Sequence, residues 1–158
     1  MGEIQEETHW MKIVVDSNIA FSAVLNLNSK IGQILIKSGS LFSFYSTPLL
    51  KDEVFEYKEK IQKIGNYTNE EFIEITKLIF HKIEFIDDFL IPKQELLKAE
   101  KLVEDIDIDD VLFIALANHL RARLWTGYKM LIRGMQKKNW NRFITVEELY
   151  IKMIQRGR

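Results

Sequence analysis

Short apolar runs alternate with helical patterns along the chain. Residues 12–15 (Lys-Ile-Val-Val) predict a buried strand that ends at Asp16, and from Ser17 onward apolar residues recur at three-to-four spacing. Four more strands are predicted at 41–45, 84–86, 123–126 and 143–144. The segments between them predict helices at 17–25, 31–39, 48–64, 68–81, 92–103 and 111–120, and a last helix follows at 145–154. This alternation indicates an α/β fold, a three-layer α/β/α sandwich around a central, mainly parallel sheet.

Capping signals sharpen several of these boundaries. Thr47 followed by Pro48 is typical of a helix start, since proline suits the first helical position. Thr68 with Glu71 fits a capping box, and Thr145 with Glu148 repeats the spacing. The helix that begins at Pro48 is predicted to continue without a break to residue 64.

Length and composition predict one folded domain. The chain has 158 residues, 47% of them hydrophobic and 28% charged, with no repeat or linker, which excludes global disorder. We expect residues 11–158 to form the domain and residues 1–10 to be an N-terminal extension. The absence of cysteine excludes disulfides, thiolate metal sites and a cysteine nucleophile.

The sequence favours neither a membrane span nor a signal peptide. The longest apolar run is seven residues, 111–117, which is too short to cross a bilayer. Residues 1–10 carry three glutamates and no Lys or Arg. We therefore expect a soluble cytoplasmic protein with no membrane partner.

The net charge of −1 hides an uneven distribution. Residues 1–118 hold 12 Lys and Arg against 21 Asp and Glu, whereas residues 119–158 hold 10 against 2. A basic end beside an acidic site would suit phosphate binding, and the alternative is a solvated helix face.

Acidic residues from three distant segments are predicted to meet at one edge of the sheet. Asp16 closes the first strand, Glu53 lies on the helix after the second, and an acid-rich turn at 105–110 precedes the apolar helix before the fourth. Clustered carboxylates raise one another's pKa, so a fold that gathers them usually binds a cation. Oxygen ligands suit Mg²⁺ or Mn²⁺, which activate water and offset charge on a phosphoryl oxygen.

Each acid taken alone has a structural alternative. Asp16 could be a helix N-cap, Glu53 could belong to a solvated face, and Asp109 or Asp110 could cap the apolar helix. Two other acid-edged folds are disfavoured. A response-regulator receiver needs paired acids after the first strand, and a haloacid-dehalogenase-like phosphatase needs an aspartate where Asn18 stands.

Four segments in this order resemble the PIN domain family, including its VapC-like toxin ribonucleases. They are 14–18 (Val-Val-Asp-Ser-Asn), 47–54, 107–117 and 124–127 (Leu-Trp-Thr-Gly). The resemblance implies a metal-dependent ribonuclease that hydrolyses RNA phosphodiester bonds, the toxin of a type II toxin–antitoxin pair. It also implies an antitoxin protein as partner, and it leaves a homodimer open.

The resemblance assigns roles to particular residues. Its implied metal ligands for Mg²⁺ or Mn²⁺ are Asp16, Glu53 and Asp110, and Asp107 would join them as a catalytic acid. The implied supporting residues are Asn18 and Thr126.

Tyr128 departs from the family pattern. Many active relatives carry an acid two residues after the threonine, and a phenol with a pKa near 10 is a poor metal ligand at neutral pH. The alternative function is therefore a catalytically impaired PIN-fold protein that acts by binding RNA or a protein partner.

The basic end supplies candidate RNA-binding residues. If residues 129–137 are helical, Lys129, Arg133 and Lys137 lie along one face, because residues four apart are neighbours on a helix. We expect this face to contact RNA phosphates.

Overall fold

The computed structural model of the protein describes residues 11–156, and within them five parallel strands form one sheet. They are β1 (Met11–Val15), β2 (Phe42–Ser46), β3 (Ile83–Phe85), β4 (Arg123–Trp125) and β5 (Phe143–Ile144). Their order is β3-β2-β1-β4-β5, so the direction of winding reverses at β1. In open parallel sheets ligands bind at the carboxyl ends of the strands beside such a reversal, here between β1 and β4.

Nine α-helices are found in the described part of the chain. They are α1 (Ser17–Leu25), α2 (Lys30–Lys37), α3 (Pro48–Glu56), α4 (Lys58–Gly65), α5 (Asn69–His81), α6 (Lys93–Val103), α7 (Val111–Leu120), α8 (Lys129–Lys137) and α9 (Val146–Arg156). Helices α1–α5 and α9 pack among themselves as one group, and α6–α8 form another. The three-layer α/β/α sandwich is confirmed.

Local sequence signals set many of these boundaries. Pro48 begins α3, although the Thr47 hydroxyl makes no capping bond. The Thr68–Glu71 capping box is complete, because Thr68 Oγ1 accepts from the Glu71 N–H at 3.1 Å and Glu71 Oε1 accepts from the Thr68 N–H at 2.9 Å. Predicted strand boundaries are within one residue of those observed.

The prediction of one continuous helix over 48–64 is wrong. The helix breaks at Tyr57, whose backbone lies outside the helical region at φ −98° and ψ 18° and separates α3 from α4. The Tyr57 ring packs edge-to-face against Phe21 of α1, with centroids 5.2 Å apart. Every residue here tolerates a helix, so the break reflects packing on α1 rather than a local stop signal.

One hydrophobic core joins the layers. Ile13, Val14 and Val15 of β1 are fully buried, and α7 contributes Phe113 and four further buried apolar residues. The buried part of β1 is apolar throughout because both faces of a central parallel strand are covered. The proposed extension, residues 1–10, lies outside the described residues.

Between residues 11 and 156, no single helix is long and apolar enough to cross a membrane. Helices α1 and α2 reach that length and composition only as a pair, and they are bent by 100° relative to each other.

Candidate active site at the carboxyl edge of the sheet

Five carboxylates line one cavity of about 470 Å³ beside the carboxyl ends of β1 and β4. They are Asp16, Glu53, Asp107, Asp109 and Asp110. They come from the end of β1, from α3 and from the turn before α7. Among the described residues none of the five takes part in an ion pair. The structure thus brings together all four predicted catalytic residues and adds Asp109.

Asp16 is held in place by three donors. It is 4% exposed, and Oδ1 accepts from the Ser17 N–H at 2.6 Å. Oδ2 accepts from the Thr126 hydroxyl at 2.6 Å and from Asn18 Nδ2 at 3.2 Å. Burial raises the pKa of Asp16, while these hydrogen bonds act in the opposite direction.

Asn18 and Thr126, the two predicted supporting residues, link the ends of β1 and β4 through hydrogen bonds to Asp16 and to each other. Asn18 Nδ2 also donates to Thr126 Oγ1 at 3.2 Å, and Asn18 Oδ1 accepts from the Gly127 N–H at 3.0 Å. Thr126 Oγ1 in turn accepts from the Tyr128 N–H at 3.1 Å. These bonds tie the segment after β4 to the start of α1 and fix the Asp16 carboxylate.

Glu53 reaches the site from α3 and is oriented by a residue that sequence reasoning missed. Ser17 Oγ donates to Glu53 Oε1 at 2.9 Å. Partial burial raises the pKa of Glu53, and the nearby Asp16 charge adds to the effect. Ser17 directly follows Asp16, and only the fold shows which side chain its hydroxyl meets.

Asp110 is a buried acid of the cavity with a strongly raised pKa. It is 8% exposed, and its Oδ2 has no hydrogen-bond partner among residues 11–156. Burial, followed by the charges of Asp16, Asp107, Glu53 and Asp109, raises the pKa of Asp110 to about 8. Asp107 instead accepts from the Asp109 N–H at 3.0 Å and so caps the 3₁₀ turn Ile108–Asp110.

The donor set fits Mg²⁺ or Mn²⁺ in chemistry. All candidate ligands are carboxylate oxygens, and the unpartnered Asp110 Oδ2 is a buried acceptor that a cation would satisfy. Yet within residues 11–156 no three His, Asp or Glu side chains are already arranged as a metal-binding group. Asp16 and Glu53 are instead engaged by neighbouring donors. The metal set Asp16, Glu53 and Asp110 therefore stays a prediction.

The predicted RNA-binding residues lie outside the cavity. Residues 129–137 are helical as α8, and Lys129, Arg133 and Lys137 are all exposed on it. Helix α8 begins immediately after Tyr128, which does line the cavity. The basic helix is thus near the acids in sequence, but it is not part of the cavity wall.

A second wall of the cavity is largely apolar, and sequence reasoning missed it. Its lining residues come mainly from α1, α4 and the break at Tyr57: Phe21, Leu25, Tyr57, Lys60, Ile61, Ile64 and Phe113. Such a wall depends on how α4 packs against α1, which no local pattern encodes.

Comparisons with known proteins bear on the fold and the family. No curated protein matches the chain. A solved structure, "Crystal structure of PAE2754 from Pyrobaculum aerophilum", is similar, with a TM-score of 0.65, 15% identity, and coverage of 92% of this chain and 90% of that one. At this identity the likeness shows the fold alone.

A family model described as "PIN domain" matches residues 14–149. PIN domains are generally nucleases, and the matched segment includes every acid that lines the cavity. Because the match spans well over half of its length, the chain belongs to the PIN domain family.

Proposed function

We propose that this protein is a metal-dependent ribonuclease that hydrolyses RNA phosphodiester bonds at the five-acid cavity. The observation that carries the proposal is Asp110, a buried carboxyl with an unpartnered oxygen among four other acids. Burying carboxylates together is costly, and a fold that retains such a group usually uses it.

Each residue of the cavity has a defined task in this proposal. Asp16, Glu53 and Asp110 would hold the cation, and Asp107 would act beside them as a further acid. When bound, Mg²⁺ or Mn²⁺ lowers the pKa of water and offsets charge on the phosphoryl oxygens.

The hydrogen-bonded supports keep two of these acids in place. Thr126 and Asn18 fix the direction of the Asp16 carboxylate, and Ser17 fixes that of Glu53. Positioning of this kind places the charges before the substrate arrives, so that little reorganisation accompanies the reaction.

The proposal is tested by incubating the purified protein with mixed RNA in Mn²⁺ or Mg²⁺, with EDTA as the comparison. We expect cleavage with either ion and none in EDTA. Cleavage that survives EDTA would contradict metal dependence, and no cleavage in either ion would contradict the nuclease.

Tyr128 favours a second candidate, a PIN-fold protein that binds RNA or a partner without cleaving it. Its side chain lines the cavity where many active relatives carry an acid, and a phenol supplies no carboxylate. If the protein is a weak nuclease, Tyr128→Asp should raise the cleavage rate in Mn²⁺. If neither protein cleaves although RNA still binds, the second candidate is correct.

Four further expectations follow from the family resemblance and the composition. They are a toxin role, an antitoxin partner, a homodimer and a cytoplasmic location. Growth arrest on expression of the wild type, and none on expression of Asp16→Asn, would support the toxin role. Equal growth of both strains at equal protein levels would contradict it.

A further inference from the structure

The apolar wall of the cavity has no task in holding a metal or a phosphate. The cavity volume of about 470 Å³ lies in the range of about 300–1,000 Å³ that small organic groups occupy. Besides the acids, the cavity is lined by Phe21, Tyr57, Ile61 and Ile64, which come from α1, from α4 and from the break between α3 and α4. A site that acted only on the phosphodiester would not need this apolar wall.

Tyr57 presents an aromatic ring in a fixed orientation. Its edge-to-face contact with Phe21 has an interplanar angle of 79°, and 46% of the residue is exposed. The break between α3 and α4 places it here, since an unbroken helix would carry residues 58–64 in another direction. Exposed aromatic rings next to a phosphate site are the usual platform for an unstacked nucleobase.

Lys60 adds a positive charge to the same wall. It lies one turn into α4 and is exposed, and it is the single Lys or Arg among the described residues that line the cavity. A cation that lines the same cavity as the aromatic residues suits a phosphate of the nucleotide whose base meets the wall.

We propose that Tyr57 and Phe21, together with Ile64, form a binding subsite for one unpaired nucleobase beside the scissile phosphodiester, with Lys60 on its phosphate. The inference rests on the proposed function and requires the bound nucleotide to be unpaired. In a duplex the bases are stacked and paired, so none can reach the wall.

The test is a binding measurement on the full chain in the Asp16→Asn background with Mg²⁺, so that RNA is not cleaved. The probe is a fluorescein-labelled single-stranded 12-nucleotide RNA, with a set of versions that each carry one abasic position and a duplex of the same sequence. Tyr57→Ala should weaken binding of the intact strand by about 5- to 150-fold, which is the free energy of stacking one base expressed as a ratio of affinities.

The matched control is Phe55→Ala. Phe55 is an aromatic residue of similar exposure, 49%, two positions earlier on α3, and it does not line the cavity. We expect it to leave RNA affinity unchanged and Tyr57→Phe to retain it. On the RNA whose missing base is the one that would stack on Tyr57, Tyr57→Ala should cause no further loss of affinity. The abasic position and the substitution then remove the same contact. Lys60→Met should lower the slope of log affinity against log salt by about 1.

Three results would overturn the subsite. They are equal losses for Tyr57→Ala and Phe55→Ala, equal losses on intact RNA and on every abasic RNA, or duplex binding as tight as single-strand binding. If the wild type cleaves RNA while Tyr57→Ala changes nothing, the subsite fails and the nuclease stands. If Tyr57→Ala weakens binding but the wild type never cleaves, the subsite stands and the nuclease fails.

Discussion

Replacing Asp110 by asparagine should stabilise the metal-free protein at alkaline pH. Burial and four nearby charges raise the pKa of Asp110 to about 8 in the folded protein, whereas its ordinary pKa is 3.8. Between these two pH values the Asp110 carboxyl is protonated in the folded state and ionised in the unfolded state. Unfolding then releases a proton, so the stability contributed by this group is complete below pH 3.8 and is lost as pH rises to about 8.

The size of the effect follows from the two pKa values. At 1.36 kcal/mol per pH unit the difference sets an upper bound of about 6 kcal/mol. Part of the side chain is within reach of solvent and counterions, which screen its charge, so we expect about 1–3 kcal/mol. Asparagine keeps the shape of the protonated acid and does not ionise. Asp110→Asn should therefore raise the free energy of unfolding by about 1–3 kcal/mol at pH 8.5, and by less at pH 5.

The assay is urea unfolding in EDTA at pH 5, 7 and 8.5, followed by circular dichroism. Asp105→Asn is the control, because the pKa of this exposed acid is shifted in the opposite direction. Asp105 is paired with Lys138, which lowers the pKa of Asp105. Removing that carboxylate should not stabilise the protein at pH 8.5. Adding Mn²⁺ at 100 times its Kd should stabilise the wild type by about 2.7 kcal/mol and Asp110→Asn by much less.

Two results would refute this reasoning. One is an Asp110→Asn protein less stable than the wild type at pH 8.5. The other is an unchanged pH dependence in EDTA, which would show that Asp110 ionises normally in the folded state. Equal stabilisation of both proteins by Mn²⁺ would remove Asp110 from the set of metal ligands.

Two further outcomes concern RNA binding and the support of Asp16. Replacing Arg133 and Lys137 with glutamate should weaken RNA binding and lower the slope of log affinity against log salt by about 2. A filter-binding titration from low to high salt measures both effects. An unchanged slope would mean that α8 is not the face that binds RNA. Thr126→Val removes the 2.6 Å hydrogen bond that lowers the pKa of Asp16, so the acid limb of the pH–rate profile should move to higher pH. A profile that keeps its position would show that this bond does not tune Asp16.

The sequence was a good guide wherever a short local signal decides the structure. The β-branched run before Asp16 is typical of a central strand, Pro48 directly after Thr47 favours a helix start, and Thr68 with Glu71 closes a capping box within four residues. The order of acids after the strands likewise places them at one sheet edge, because parallel strands share a carboxyl end.

What local patterns do not encode is the contact between distant segments. The break at Tyr57 depends on Phe21, which lies 36 residues earlier, and the apolar wall depends on that break. The hydrogen bond from Ser17 to Glu53 spans the same separation. The pKa of Asp110 depends on burial, which only the packed structure defines.

The central claim, that the acid cavity hydrolyses RNA, is tested most directly by one comparison of initial rates. Wild type, Asp16→Asn and Asp52→Asn are purified identically and given the same labelled single-stranded RNA in Mn²⁺. Asp52 is an exposed acid next to Glu53 that does not line the cavity. We predict wild-type rates for Asp52→Asn and a loss of about 100-fold or more for Asp16→Asn, with its fold intact by circular dichroism. Equal cleavage by all three proteins would place the activity outside this cavity and contradict the account.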